Sequence, residues 1–178
     1  QHRHLHSFPT RRSSDLHADP NVFVQMDTYA VKGLQTGQIQ FLYAPTHLNP
    51  TYEYGVTFER GTAVTYGDRK QIFISGTASI DNQGEIMYPG DILKQTERML
   101  ENIDTLLQEA GGGLQDIMQA IVYLRDPADY VVVKQYIESR YPSFLHLIVH
   151  APVCRPGWLI ETECIAVIPA DAPQYAYL

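Results

Sequence analysis

Cysteine is scarce in this chain: Cys154 and Cys164 are the only two in 178 residues. That is too few for a disulfide scaffold, and their spacing matches no zinc site. The usage suits a reducing, cytoplasmic compartment. Long apolar runs are lacking, so no membrane span is expected. Positive charge is in the minority, with 13 Lys and Arg against 20 Asp and Glu and a net charge of −7. This argues against an electrostatically driven nucleic-acid binder. There is no GxGxxG for a dinucleotide, no phosphate loop with its lysine, and no GxSxG nucleophile elbow. No cofactor and no metal are therefore expected. Internal repeats and low-complexity segments are absent as well.

What is present is a core. Hydrophobic residues make up 44% and charged residues 19%, enough for one domain of this length. Residues 1–16 stand apart. They carry basic and histidine residues, no apolar stretch of a signal peptide, and no helix or strand period. Within them FPTRRSSD (residues 8–15) is what a common sequencing adapter encodes in frame. We read residues 1–16 as an assembly artefact, with the authentic upstream sequence expected to be missing; the alternative is a disordered basic tail. Setting aside Arg3, Arg11, Arg12 and Asp15 leaves ten basic and nineteen acidic residues, a net charge of −9. An anionic substrate then needs a local basic group.

Residues 17–57 hold short strand-like runs at 22–24, 29–31 and 39–43 and a loop, APTHLNP, at 44–50. They form either an N-terminal extension or the remnant of a preceding domain. From residue 58 the signals sharpen. Residues 62–66 and 71–75 form a hairpin around Gly67-Asp68, and a short run at 85–88 follows the turn DNQG. Asp91 caps a helix whose apolar positions, from Ile92 through Met99, Ile103 and Leu106 to Ala110, keep a 3.6-residue period, and Gly111 to Gly113 stop it. Residues 117–124 are a buried strand. Asp126-Pro127 opens a second helix with Tyr130, Val133, Lys134, Ile137 and Tyr141 on one face. Strands at 144–150 and 158–167 and a polar tail at 170–178 complete the chain. The order β-β-β-α-β-α-β-β predicts an α+β fold with both helices on one face of a sheet.

The last strand carries the chemistry. Glu161 and Glu163 share a face with Leu159, Ile165 and Val167. A desolvated carboxylate there has a raised pKa and acts as acid or base near neutrality; a carboxylate facing solvent at a sheet edge or subunit boundary does not. On the strand before it, Phe144, His146, Ile148 and His150 share one face, and the two histidines are about 13 Å apart in extended chain, too far for one metal. Each is either a structural histidine or a group that binds an anion or shuttles a proton. The connecting loop APVCRPG (residues 151–157) centres on Cys154 and Arg155. Arg155 can grip a carboxylate bidentately, and an adjacent cation can lower a thiol pKa; the alternatives are a surface arginine and an inert cysteine. In SGTAS (residues 75–79) the small residues, Gly76 and Thr77 among them, let a backbone approach a ligand closely.

Taken in order, FISGT (73–77), residues 95–102, IMQAIVYLRD (117–126) and IETECIAV (160–167) resemble the Rid superfamily, also called YjgF or L-PSP endoribonuclease-like. The resemblance spans residues 58–169. It implies a Rid-like, chorismate-mutase-like sheet and a trimer or pseudo-trimer with clefts between subunits. In the family's deaminase branch an arginine of the penultimate strand holds the substrate carboxylate; that position falls on His146, and the branch's water-positioning glutamate falls on Glu161. HAPVCRPGWLIE (150–161), FERGT (58–62) and SGTASI (75–80) are similar to the C-terminal half of chorismatases. That similarity implies Glu161 as acid/base, Cys154 as a substrate-side residue and Arg155 as a carboxylate contact. The expectation is chorismate hydrolysis with loss of pyruvate. The alternatives are imine deamination and a non-catalytic binding module. The expected partners are a small carboxylate and either two further copies of the chain or a missing N-terminal half, with no nucleic acid and no membrane.

Overall fold

The structure, a computed structural model, describes residues 28–177. The run at 22–24, the proposed artefact at 1–16 and Leu178 lie outside the described residues. Residues 28–33 belong to a separate unit and are loop, with a turn at Lys32-Gly33. Residues 34 onward form one compact unit.

Its strands are β1 (Ile39–Leu42), β2 (Gly61–Thr65), β3 (Arg69–Ala78), β4 (Ile117–Leu124), β5 (His146–His150) and β6 (Ile160–Pro169). Its helices are α1 (Ile92–Glu109) and α2 (Tyr130–Arg140). The sheet order is β1-β2-β3-β6-β4-β5. Every neighbouring pair is antiparallel except β4 and β5. That one parallel pair needs a crossover, and α2 supplies it.

The helices form where the period predicts. The Asp91 carboxylate accepts the Lys94 N–H at 3.0 Å and caps α1, a contact worth about 1 kcal/mol. Met99, Leu100, Ile103, Leu106 and Leu107 are buried along its inner face, each contributing about 1.5–3 kcal/mol relative to exposure. Val133 and Ile137 of α2 enter the same core with Ile72, Val122, Cys164 and Ala166 of the sheet. The Asp126 carboxylate accepts the Ala128 N–H at 2.8 Å and tightens Pro127–Asp129 into a 3-10 turn, so α2 starts later than expected.

One expectation changes. The run at 85–88 is not a strand: the Asp81 carboxylate takes the N–H groups of Gln83 and Glu85, and only an isolated Ile80–Ile86 bridge forms. Residues 34–57 are part of the same compact unit as the sheet. β1 pairs with β2, Leu42, Ala44 and Leu48 are buried in the common core, and the Glu109 carboxylate accepts the N–H groups of Tyr43 and Ala44 at 2.8 Å. Edge pairing and a carboxylate at the far end of α1 stitch this segment in, neither of which a local apolar count registers.

Candidate functional site

Side chains alternate along β6. Thr162, Cys164 and Ala166 turn toward the helices and are buried. Glu161 and Glu163 therefore project from the helix-free face. Register sets Glu161 beside Ala78 of β3 and Tyr123 of β4. Between Ile74 and Thr77 the β3–β6 register shifts. The irregularity brings Gly76 under Glu161, where a Cβ would overlap the Oε1 atom. Only glycine leaves the carboxylate its place.

The loop at 151–159 closes over this point. The Cys154 backbone N–H is turned toward the Glu161 carboxylate. Burial pushes the Glu161 carboxyl up, the charge of Glu163 adds to it, and the Cys154 N–H pulls part of the way back. Desolvation thus dominates, which is the condition for a carboxyl that holds a proton above the usual carboxylate range. Burial and the neighbouring Glu163 and Glu161 carboxylates push the Tyr123 phenol up to about 12.

Two guanidinium groups stand nearby. Arg155 stacks between Tyr54, at 5.2 Å, and Trp158, at 5.1 Å, and donates to the Gly84 carbonyl at 3.2 Å. Arg60, buried, lies 5.5 Å over the Tyr54 ring and 5.4 Å over Phe58, and donates to the Asn49 carbonyl and side chain. Burial raises the Tyr54 hydroxyl pKa, Arg60 and Arg155 lower it, and Glu161 pushes it up. Tyr54 is thus the ring on which both cations stack. Cation–aromatic stacking holds Arg155 with part of its donor fork uncommitted.

The structure therefore brings Gly76 and the Cys154 backbone to Glu161, while Arg155, next to Cys154 in the loop, contacts Tyr54, Trp158 and the Gly84 carbonyl. It does not bring Thr77, His146 or His150 to them. Thr77 pairs with Thr162 on the helix side, is 1% exposed, and gives its hydroxyl to the Ser75 carbonyl. His146 and His150 pair with Ala120 and Leu124, both buried beneath the helices. The His146 Nδ1 lies 2.8 Å from the Phe144 carbonyl. Counting back from Glu161 to the penultimate strand crosses an irregular loop, which does not preserve the alternation of faces. His150 instead lines a hollow of about 260 Å³ with Leu124, Pro127 and Tyr130. The Cys154 thiol is exposed, whereas Cys164 is buried, with its thiol pushed up to about 12.

Several residues of the site were not singled out from the sequence. Arg60 sits inside FERGT, and Trp158, the only tryptophan, follows the CRPG turn. Tyr54 gives no local signal, because its role depends on β1 joining the sheet. A groove of about 220 Å³ on the helix-free face is lined by Phe73, Ile121, Glu163 and Ile165, and a hollow of about 450 Å³ lies beside Arg60, Tyr43 and Tyr52. Neither is lined by Glu161, so the chemistry of the carboxylate cluster, not the size of a hollow, marks the site. Among the described residues no group of three His, Cys, Asp or Glu side chains is placed to hold a metal ion, and no helix is long and apolar enough to cross a membrane.

This arrangement can be set beside known proteins. The profile of the family described as Endoribonuclease L-PSP matches residues 61–168. The 3-aminoacrylate deaminase RutC of Acinetobacter baylyi is 31% identical over 97 residues, which span 53% of this chain and 77% of that protein. A RutC family protein of Pyrococcus abyssi is 35% identical over 97 residues, 53% of this chain and 76% of the relative. Among solved structures, RidA from an Antarctic Psychrobacter superposes with a TM-score of 0.60 at 24% identity, covering 72% of this chain and 99% of that one. E. coli TdcF, solved with bound serine, gives 0.59 at 21%, covering 72% and 98%. These superpositions show a shared fold, with a six-stranded sheet and two helices. With well over half of its length matched by the profile, the chain belongs to the Rid/YjgF family, the Endoribonuclease L-PSP family of that profile.

Proposed function

We propose that the chain is an acid/base hydrolase for a small unsaturated carboxylate, and that its reaction is deamination of an enamine or imine acid. The observation that carries this reading is the half-buried Glu161 carboxyl, fitted over Gly76 and pushed toward its protonated form by burial. The likeness to a 3-aminoacrylate deaminase favours deamination over other hydrolyses. In this scheme protonated Glu161 gives its proton to the enamine carbon, forming an iminium. The carboxylate then takes a proton from water as the oxygen adds to the C=N carbon. A relay through the same carboxyl moves the new hydroxyl's proton to nitrogen, the C–N bond breaks, and ammonia leaves a carbonyl behind. Arg155 faces the substrate's carboxylate, a local cation against an acidic chain.

A second reading, chorismate hydrolysis, is favoured by the loop itself, which brings the Cys154 backbone to Glu161 and carries Arg155 next to it in sequence. There the same proton goes to the enol-ether methylene, water adds, and pyruvate departs. RNA cleavage, which the family description names, is disfavoured by the acidic balance of the chain.

We propose further that the helix-free face is covered in the assembled protein, by two more copies of the chain or by a Rid-like N-terminal half. Phe41 and Leu147 stand exposed on the strands of that face. Light scattering on the purified chain is expected to return three copies.

The substrate test measures ammonia released from an imine generated in place by an amino-acid oxidase, and pyruvate released from chorismate. Faster ammonia release supports deamination. Pyruvate release alone transfers the assignment to chorismate. Thermal stabilisation by small carboxylates with neither product marks a binding module and overturns the enzymatic reading.

A further inference from the structure

Arg60, one residue before β2, is only 5% exposed. A guanidinium so deeply buried is ordinarily paired with an acid. Among the described residues no carboxylate lies within 4.0 Å of it. What surrounds the charge is neutral. Its Nε donates to the Asn49 carbonyl at 3.3 Å, and its Nη2 donates to that carbonyl and to the Asn49 Oδ1, each at 3.0 Å. The rings of Tyr54 and Phe58 lie beside it, at 5.5 and 5.4 Å. A second cation, Arg155, stands on the same Tyr54 ring. Carbonyls and aromatic faces solvate a cation without cancelling it. This corner therefore keeps a positive potential in a chain whose acids outnumber its basic residues.

That charge borders an open space. Arg60 lines the hollow of about 450 Å³ together with Leu48 and Asn49, and these three buried residues mark its inner end. Tyr43 and Tyr52 line it too, are exposed, and mark its mouth. Glu59, the acid in its lining, is exposed and makes no ion pair with Arg60. The space has the size of a small-molecule site, with an apolar and aromatic wall and few polar groups. We propose that this hollow is a second binding site, apart from Glu161, and that it takes a small aromatic carboxylate whose ring lies against the two tyrosines and whose carboxylate meets Arg60. The anion supplies the counter-charge that Arg60 lacks, in a place where water is scarce and a charge-assisted contact is strong. The ring covers tyrosines that otherwise face solvent. One cation at the inner end suits one negative charge, whereas a phosphate would leave the aromatic wall uncovered.

The hollow is formed before any ligand arrives. The Glu109 carboxylate of α1 holds the N–H groups of Tyr43 and Ala44 at 2.8 Å. The Ala44 carbonyl takes the N–H groups of His47 and Leu48, also at 2.8 Å. Arg98 donates to the His47 carbonyl from the helix, and Arg60 holds Asn49 from the strand. A ligand therefore meets a wall already in place and does not have to order it.

The test titrates the full chain with phenylacetate, with acetate, which has only the charge, and with 2-phenylethanol, which has only the ring. ¹H–¹⁵N spectra read the backbone amides of residues 43–60 and the Arg60 Nε–H. We expect saturable phenylacetate shifts at Leu48, Asn49 and the Arg60 Nε–H, with either partial ligand weaker by about tenfold or more. Arg60→Gln should lose about tenfold or more in phenylacetate affinity, as when one partner of a buried charge pair is removed. Tyr52→Ala changes a side chain that is 77% exposed, so the fold survives, and affinity should drop several-fold. Shifts that do not saturate, that acetate reproduces in full, or that fall beside Glu161 instead overturn the proposal. So does inorganic phosphate binding as tightly as phenylacetate. Should Arg60→Gln not fold, Tyr52→Ala decides, and an unchanged affinity there overturns the proposal. The readout is binding alone, so failure of the deaminase reading leaves this result untouched.

Discussion

The two faces of β6 share one backbone and alternate residue by residue, yet they are built on different physics. Ile160, Thr162, Cys164 and Ala166 lie under α1 and α2 and are buried. Their environment is continuous packing, in which volume decides what is tolerated. Glu161 and Glu163 stand on the other face, where no helix covers them. There one carboxylate sits over a glycine, and its burial and the neighbouring Glu163 charge push its carboxyl up. A position on the first face answers to stability, and a position on the second to proton chemistry.

Substitutions can sharpen or break that contrast. The largest effect on activity is expected from Glu161→Gln, which keeps the shape and removes the proton. Turnover should fall by about 10²–10⁴, the contribution of a positioned acid or base, while the melting temperature moves little. Ile103→Ala tests the opposite face and should cost about 2–5 kcal/mol in chemical denaturation, with kcat per folded molecule unchanged. A core variant that loses turnover in proportion to nothing but its own folding supports the division; one that loses it while fully folded dissolves it.

Smaller effects probe the border. In Gly76→Ala the new methyl occupies the place of the Glu161 carboxylate, so activity should fall more than stability. Equal losses would mean that the carboxylate moves aside without consequence. Glu163→Gln removes the like charge that helps to raise the Glu161 carboxyl. If protonated Glu161 is the active form, activity is lost as pH rises through its pKa, and this variant shifts that loss to lower pH. The smallest effect is expected at His146, on the helix side. His146→Gln should leave kcat/KM within about twofold, the scale of ±0.5 kcal/mol that surface changes show. A large loss there would restore the histidine to the site.

The same contrast governs what can be read from the residues alone. The period of Met99, Ile103 and Leu106, the Asp91 cap and the run at 117–124 report packing, which is local and repetitive, so the helices and the central strands are legible. Glu161 and Glu163 are legible as a pair on one strand face. Their partners are not, because those contacts depend on long-range register. Tyr54 reaches the site through β1, which pairs at the sheet edge by a segment with no distinguishing pattern. Arg125 holds the Val153 carbonyl 28 residues away in sequence, and Gln95 accepts the Leu159 N–H 64 residues away. His146 was drawn toward the site by counting through a loop whose shape sets no face. Gln95 did leave a trace, as a polar residue on the buried face of an otherwise apolar helix.

The central claim is that Glu161 holds its proton above the usual carboxylate range and spends it on the substrate. The most direct test is a ¹³C titration of the Glu161 carboxyl set beside the pH dependence of kcat/KM. The account predicts a midpoint above that of an ordinary glutamate, coinciding with the alkaline fall in activity. A midpoint at or below the ordinary value, or an activity profile indifferent to it, would contradict the account.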